Sequence, residues 1–174
     1  LYELEYKDAL YLGKGIKEIN FQSSDSNKPA KFYINSALAH KAFPAKKVSK
    51  SEANPVHLGS QENINTRILN QYIVPWIAPS CQLMMGITEV LEGNAWNTMP
   101  CHIHAMRMEA YFYFEIPEDQ AVCHFMGQPD ETRHLWLHNE NCVISPDWSI
   151  HAAAGTQNYC FIWGMAGTDG DMDA

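Results

Sequence analysis

Short runs in which apolar or aromatic residues alternate with polar ones recur through most of this chain, and they leave it few ways to fold. They are Ala9 to Leu12, Lys31 to Ile34, Cys81 to Glu89, Ala110 to Phe114, Val122 to Met126, His134 to Leu137, Cys142 to Ile144 and Tyr159 to Trp163. A period of two buries one face of an extended strand, and the Gly, Pro, Asn and Asp residues between runs supply the turns. The pattern predicts an all-β fold, mainly antiparallel, as a barrel or sandwich. Helix is scarce. Its best candidate lies within Ser60 to Gln71, where Ile64, Ile68 and Leu69 give a weak helical stripe before Tyr72-Ile73-Val74 turns extended.

Within this β pattern stand His102, His104, Glu109 and His151. Three imidazoles and a carboxylate form a set of neutral N and anionic O donors suited to zinc, iron, manganese or nickel. On a strand, residues two apart share a face, so His102 and His104 point inward together while Cys101 and Ile103 point away. Glu109 has the opposite parity and needs a bend or bulge within Ala105-Met106-Arg107-Met108 to return to that face. Beyond it, Glu109, Tyr111, Tyr113 and Glu115 share one face. Val143-Ile144-Ser145 reads as a strand end, Pro146-Asp147-Trp148 as a turn, and His151 as a residue of the returning strand. The spacing predicts a metal held inside a barrel. His40, His57 and His138 stand apart and read as ordinary surface or core residues. His124 and His134 lie between the ligand blocks, within reach of the cavity.

With 174 residues, 46% of them hydrophobic, the chain can bury a substantial core. No run approaches the roughly 20 apolar residues that span a bilayer, and no signal segment precedes a cleavage site. The expectation is a soluble, cytoplasmic protein. A net charge of −8 argues against nucleic acid as a partner. The five cysteines are spread singly with no CxxC pair, which reads as reduced thiols, mostly buried, rather than a disulfide framework.

Polar, Pro-bearing sequence between Ala39 and Asn63 reads as a linker. The stretches on either side of it hold a degenerate repeat. Asp8 to Leu12, Gly15 to Glu18 and Lys31 to Ala37 parallel Cys142 to Pro146, Trp148 to His151 and Tyr159 to Ala166, with Glu18 in the place of His151. The same offset puts the counterparts of His102 and His104 before residue 1. The expected organisation is therefore the C-terminal part of a first, metal-free barrel over residues 1–40, a linker with a possible short helix over 41–72, and a metal-binding barrel over 73–174. The chain is expected to be a fragment, with an acidic tail from Thr168 to Ala174.

An HxHx4E string followed by a turn and a lone His resembles the two motifs of the cupin superfamily, small β-barrels with a metal in the mouth. One departure is Trp148, where cupins usually carry Gly two residues after the turn Pro. Asn97 to His104, Met108 to Phe114, Phe125 to His134 and Ile144 to His151 resemble the 5-keto-4-deoxyuronate isomerase family more closely, as do Asp8 to Gly15 and Phe161 to Gly167. The likeness covers essentially the whole chain. It implies a bicupin-type double β-barrel (jelly-roll) with one Zn2+ per chain on His102, His104, Glu109 and His151. It also implies a homo-oligomer, a hexamer in that family, that converts the 4-deoxy-5-ketouronate released by pectin or glycosaminoglycan lyases into a 3-deoxy-2,5-diketo acid.

A ketol isomerisation moves a proton between adjacent carbons and needs a Lewis acid on two oxygens and a base above the carbons. Glu109, with His124 and Tyr159, is the expected catalytic set. Arg107 and Arg133 are the expected substrate-binding residues, favoured for the planar fork that fits a carboxylate. Two rival readings are a cupin oxygenase with iron on the same ligands and a noncatalytic sugar-acid binding module.

Overall fold

The computed structural model describes residues 1–167, so the acidic segment 168–174 lies outside the described residues. Twelve strands follow in order: β1 (Ala9–Tyr11), β2 (Lys46–Val48), β3 (Asn54–Leu58), β4 (Arg67–Ile73), β5 (Leu83–Val90), β6 (Trp96–His102), β7 (Arg107–Phe114), β8 (Val122–Gln128), β9 (Glu131–Leu137), β10 (Cys142–Ser145), β11 (Ile150–Gly155) and β12 (Cys160–Gly167). No helix occurs among the described residues. A six-stranded sheet runs β10-β7-β12-β5-β4-β3 and a four-stranded sheet runs β6-β11-β8-β9. All paired strands are antiparallel. Together they make a jelly-roll barrel, as the alternating pattern predicts.

The main core lies between the sheets. Met84, Val90, Tyr111, Tyr113, Phe161 and Trp163 from the larger sheet meet Val122, Leu137 and Ala153 from the smaller. Burying each large side chain contributes roughly 1.5–3 kcal/mol. Register aligns these residues in rows across β5, β12 and β7, with Met84, Met165 and Glu109 in one row and Gly86, Trp163 and Tyr111 in the next. Gly86 is glycine for a packing reason, because an added Cβ would run into the Trp163 ring and the Asn70 carbonyl.

Residues 41–72 are not a linker with a helix. They contribute β2, β3 and β4, and the two longer strands belong to the barrel's six-stranded sheet. Hydrogen bonding to β3 on one side and β5 on the other outweighs a stripe of three apolar residues. The expected boundary at residue 73 falls inside this sheet.

Of residues 1–40 only Ala9–Tyr11 is strand; it pairs with Lys46–Val48. This ribbon covers the outer face of the six-stranded sheet, where Ala9, Tyr11 and Val48 pack with Tyr72, Ile73 and Ile87. Charge fastens it: Lys7 Nζ lies 3.0 Å from Glu115 Oε2 and 3.5 Å from Glu89 Oε2, and Lys31 pairs with Glu140. Residues 12–45 otherwise run over the barrel without regular structure, and Glu18 is exposed. The described residues thus form one barrel with an N-terminal strap. All five cysteines are free, but Cys101 and Cys142 are exposed, so burial holds for only three of them. Burial and the hydrogen bond to Glu115 push the Cys160 thiol up to about 12.

Candidate metal centre

Three segments deliver the imidazoles to one end of the barrel. His102 ends β6 and faces His151 of β11 directly across the ladder. After His102 the chain leaves the four-stranded sheet, turns at Ala105-Met106, closes the turn with a hydrogen bond from the Arg107 amide to the His104 carbonyl, and enters β7 of the facing sheet. His104 sits in this connection rather than on a strand. The crossing also removes the parity problem of Glu109 without a bulge, because inward has opposite directions on two facing sheets. On β7, Arg107, Glu109, Tyr111 and Tyr113 alternate inward and are all buried.

The three rings lie 4.8, 4.8 and 4.9 Å apart between centroids, and one nitrogen from each lies within 4.8 Å of the others. Glu109 Oε2 stands 3.4 Å from His104 Nε2 and 3.3 Å from His151 Nε2. Donors around a four-coordinate zinc with bonds of about 2.0–2.1 Å sit roughly 3.3 Å apart, so the carboxylate, His104 and His151 already have the required spacing. The histidine nitrogens span more than this. His102 is exposed, whereas His104, Glu109 and His151 are buried.

Protonation suits cation binding. Burial, chiefly, lowers His151 to about 4, with His104 and His102 adding to the effect and Glu109 opposing it. Its ring is neutral at pH 7, as a ligand must be. The His102 Nδ1 contacts the Pro100 carbonyl at 3.0 Å. A carbonyl only accepts, so Nδ1 carries the proton and Nε2 presents its lone pair. His151 Nε2 is buried without a hydrogen-bond partner. Such an orphaned nitrogen beside a buried carboxylate is a fit to a metal ion.

A polar wall continues below. The Tyr111 hydroxyl donates to Glu109 Oε2 at 2.7 Å. Tyr113 Oη and His124 Nδ1 are 2.7 Å apart, and Asn97 Nδ2 donates to the Tyr159 hydroxyl at 2.6 Å. Burial lowers His124 to about 4, helped by His151, and its Nε2 has no partner. Burial also raises Tyr111, Tyr113 and Tyr159 above the ordinary phenol.

The structure therefore brings His102, His104, Glu109 and His151 together. It puts Arg107 on the same face two residues from Glu109, and His124 against Tyr111 at 5.1 Å between centroids. Tyr159 lies deeper, its ring beside Tyr113 at 5.8 Å. Arg133 is exposed on β9 opposite Met126, and Met126 in turn pairs with His151. His134 is exposed on the same strand. Asn97 and Arg67 are polar wall residues that the motifs do not single out. Tyr111 shares the parity of Glu109 and was open to inference, whereas Arg67 lies in the stretch that reads as linker.

The profile of the KduI/IolB family matches residues 1–173. The 4-deoxy-L-threo-5-hexosulose-uronate ketol-isomerase of Formosa agariphila is 57% identical over 99% of this chain and 63% of its own length. That of Yersinia enterocolitica is 56% identical with the same coverage, and isomerase 1 of Bacteroides thetaiotaomicron 54%. The chain spans 63% of the length of these curated relatives. Among solved structures, an IolB-like protein from Salmonella typhimurium LT2 aligns with a TM-score of 0.60 at 16% identity, over 72% of this chain and 50% of that one. Lactobacillus farciminis oxalate decarboxylase aligns with a TM-score of 0.53 at 12% identity, over 70% of this chain and 33% of that one. These two likenesses concern the fold.

Proposed function

The chain belongs to the KduI/IolB family, and from that premise we propose that it performs the reaction its relatives are named for, a zinc-dependent ketol isomerisation of a 4-deoxy-5-ketouronate. The observation that carries the reading is the buried Glu109 carboxylate, whose Oε2 is within 3.4 Å of two imidazole nitrogens and hydrogen-bonded by Tyr111. One zinc per chain, on His102, His104, His151 and Glu109, would supply Lewis acidity at the two substrate oxygens.

The remaining work falls to side chains. Glu109 takes the proton from one carbon and returns it to the next, with Tyr111 holding the carboxylate in line between them. Arg107 and Arg133 bind the substrate's oxygens. His124, neutral in the wall, and Tyr159 beneath it keep the cavity polar and closed to bulk water. The interior supports an anionic substrate: among the described residues the buried charged groups other than histidine are Arg67, Arg107 and Glu109. No helix among the described residues is long and apolar enough to cross a membrane. The same reading takes in the uronate released by pectin and glycosaminoglycan lyases as substrate, a cytoplasmic location, and a homo-oligomer of hexameric form.

The test is an anaerobic assay of the zinc-loaded protein with substrate deuterated at the migrating position. The reading expects turnover without oxygen and loss of label to water or its transfer to the neighbouring carbon. No anaerobic turnover, together with oxygen uptake in air, would replace it with the oxygenase reading. Binding without turnover in either condition would leave a sugar-acid binding module.

A further inference from the structure

The charges buried in the barrel do not balance. Among the described residues two guanidiniums, Arg67 and Arg107, are buried with a single carboxylate, Glu109. A divalent ion at the histidines would increase the excess. The excess of cations suits an anionic guest, and Arg67 is the group whose role nothing above accounts for.

Arg67 opens β4 and is 8% exposed. Leu69, two residues on, packs against the core between the sheets, so parity sends the Arg67 side chain to the same interior face. Its Nη1 donates to the Asn65 carbonyl at 2.9 Å and its Nη2 to the Met99 carbonyl at 3.5 Å. No acidic side chain pairs with it among the described residues. Two neutral acceptors for five N–H donors leave most of the fork open and the cation without a counter-ion. Burial weakens its hold on the proton, and the Tyr159 hydroxyl beside it opposes that effect.

Position gives the open fork its meaning. Met99 lies in the stretch of β6 between Asn97 and His102, and those two residues pair with Ala153 and His151 of β11. Five steps of β6 therefore cover only two of β11, roughly 7 Å at about 3.3 Å per residue. Arg67 hydrogen-bonds to this looped-out stretch, three residues before His102. Arg107 stands two residues from Glu109 and serves the reacting end instead.

We propose that Arg67 is the anchor for the substrate's carboxylate, a specificity-determining residue hydrogen-bonded to the stretch of β6 that leads to His102. The inference rests on the isomerase reading above. In uncharged analogues the anchor has nothing to grip, so Arg67 decides between acids and their neutral counterparts.

The experiment compares wild type, Arg67→Gln and Arg67→Lys on the 4-deoxy-5-ketouronate and on its carboxamide, after thermal unfolding and zinc content have been matched to wild type. Arg67→Gln is expected to raise KM for the acid about 10- to 100-fold, with kcat within about threefold and KM for the amide unchanged. Arg67→Lys keeps the charge without the fork and is expected to fall between, which covers the case in which the Gln variant fails to fold. Equal losses on acid and amide would make Arg67 a structural clasp between Asn65 and Met99. An unchanged KM for the acid would overturn the assignment outright. Wild type inactive on the acid would overturn the isomerase reading instead, so the two failures are distinct.

Discussion

The Tyr111 hydroxyl donates a 2.7 Å hydrogen bond to Oε2 of Glu109, the same oxygen that stands 3.4 Å from His104 Nε2 and 3.3 Å from His151 Nε2. One carboxylate oxygen is thus offered to a phenol and to a metal at once. In the proposed reaction that arrangement would make Glu109 the ligand best able to loosen during turnover. Tyr111→Phe is predicted to lower kcat roughly 10- to 100-fold, the range for a partner that orients a ligand, while changing KM little. Steady-state kinetics and zinc affinity measured on the same samples check this. A variant with wild-type kcat would remove Tyr111 from the account.

His104→Ala deletes one donor at a site held by loop and strand rather than by the core. It is predicted to bind zinc far more weakly than wild type while keeping its β-sheet signal in circular dichroism. Metal analysis after dialysis reads the first and the spectrum reads the second. Retention of a full equivalent of zinc would move the centre elsewhere.

His124 and His151 are both held near 4 by burial, against an ordinary value of 6.5. Between those values the unfolded chain takes up a proton that the folded chain refuses. Their contribution is therefore present above pH 6.5 and lost as pH falls towards 4. The full window is worth about 3 kcal/mol for each group. Denaturant unfolding of metal-free protein at pH 7 and pH 4.5 should show this loss, and His124→Gln should remove about half of the pH dependence. Equal stability at the two values would contradict neutral burial.

Gly86, Trp163 and Tyr111 occupy one row across the six-stranded sheet. Gly86→Ala drives a methyl into the Trp163 ring. Overpacking of this kind costs about 1–3 kcal/mol, and the displaced ring presses on Tyr111. The variant is expected to unfold earlier and to lose activity in the manner of Tyr111→Phe. A destabilised but fully active protein would separate the row from the site.

The barrel and its donor set were legible because both rest on local rules: period-two burial marks strands, and residue type marks donors. His102, His104, Glu109 and His151 come together as their spacing suggests. The connection did not follow from spacing. Parity counted along one strand demands a bulge before Glu109, whereas the chain crosses to the facing sheet and reverses what inward means. Arg67 escaped notice for a related reason. Ile64, Ile68 and Leu69 hint at helix locally, and only the long-range ladders to β3 and β5 make that stretch a barrel strand with Arg67 inside. Pairing between distant segments is not written in a window of ten residues.

X-ray absorption at the zinc edge of the purified, zinc-loaded protein tests the central claim most directly. The account predicts three imidazole nitrogens and at least one oxygen at about 2.0–2.2 Å, with the oxygen shell altered in Glu109→Gln. A sulfur shell at about 2.3 Å, or no histidine scattering, would contradict it.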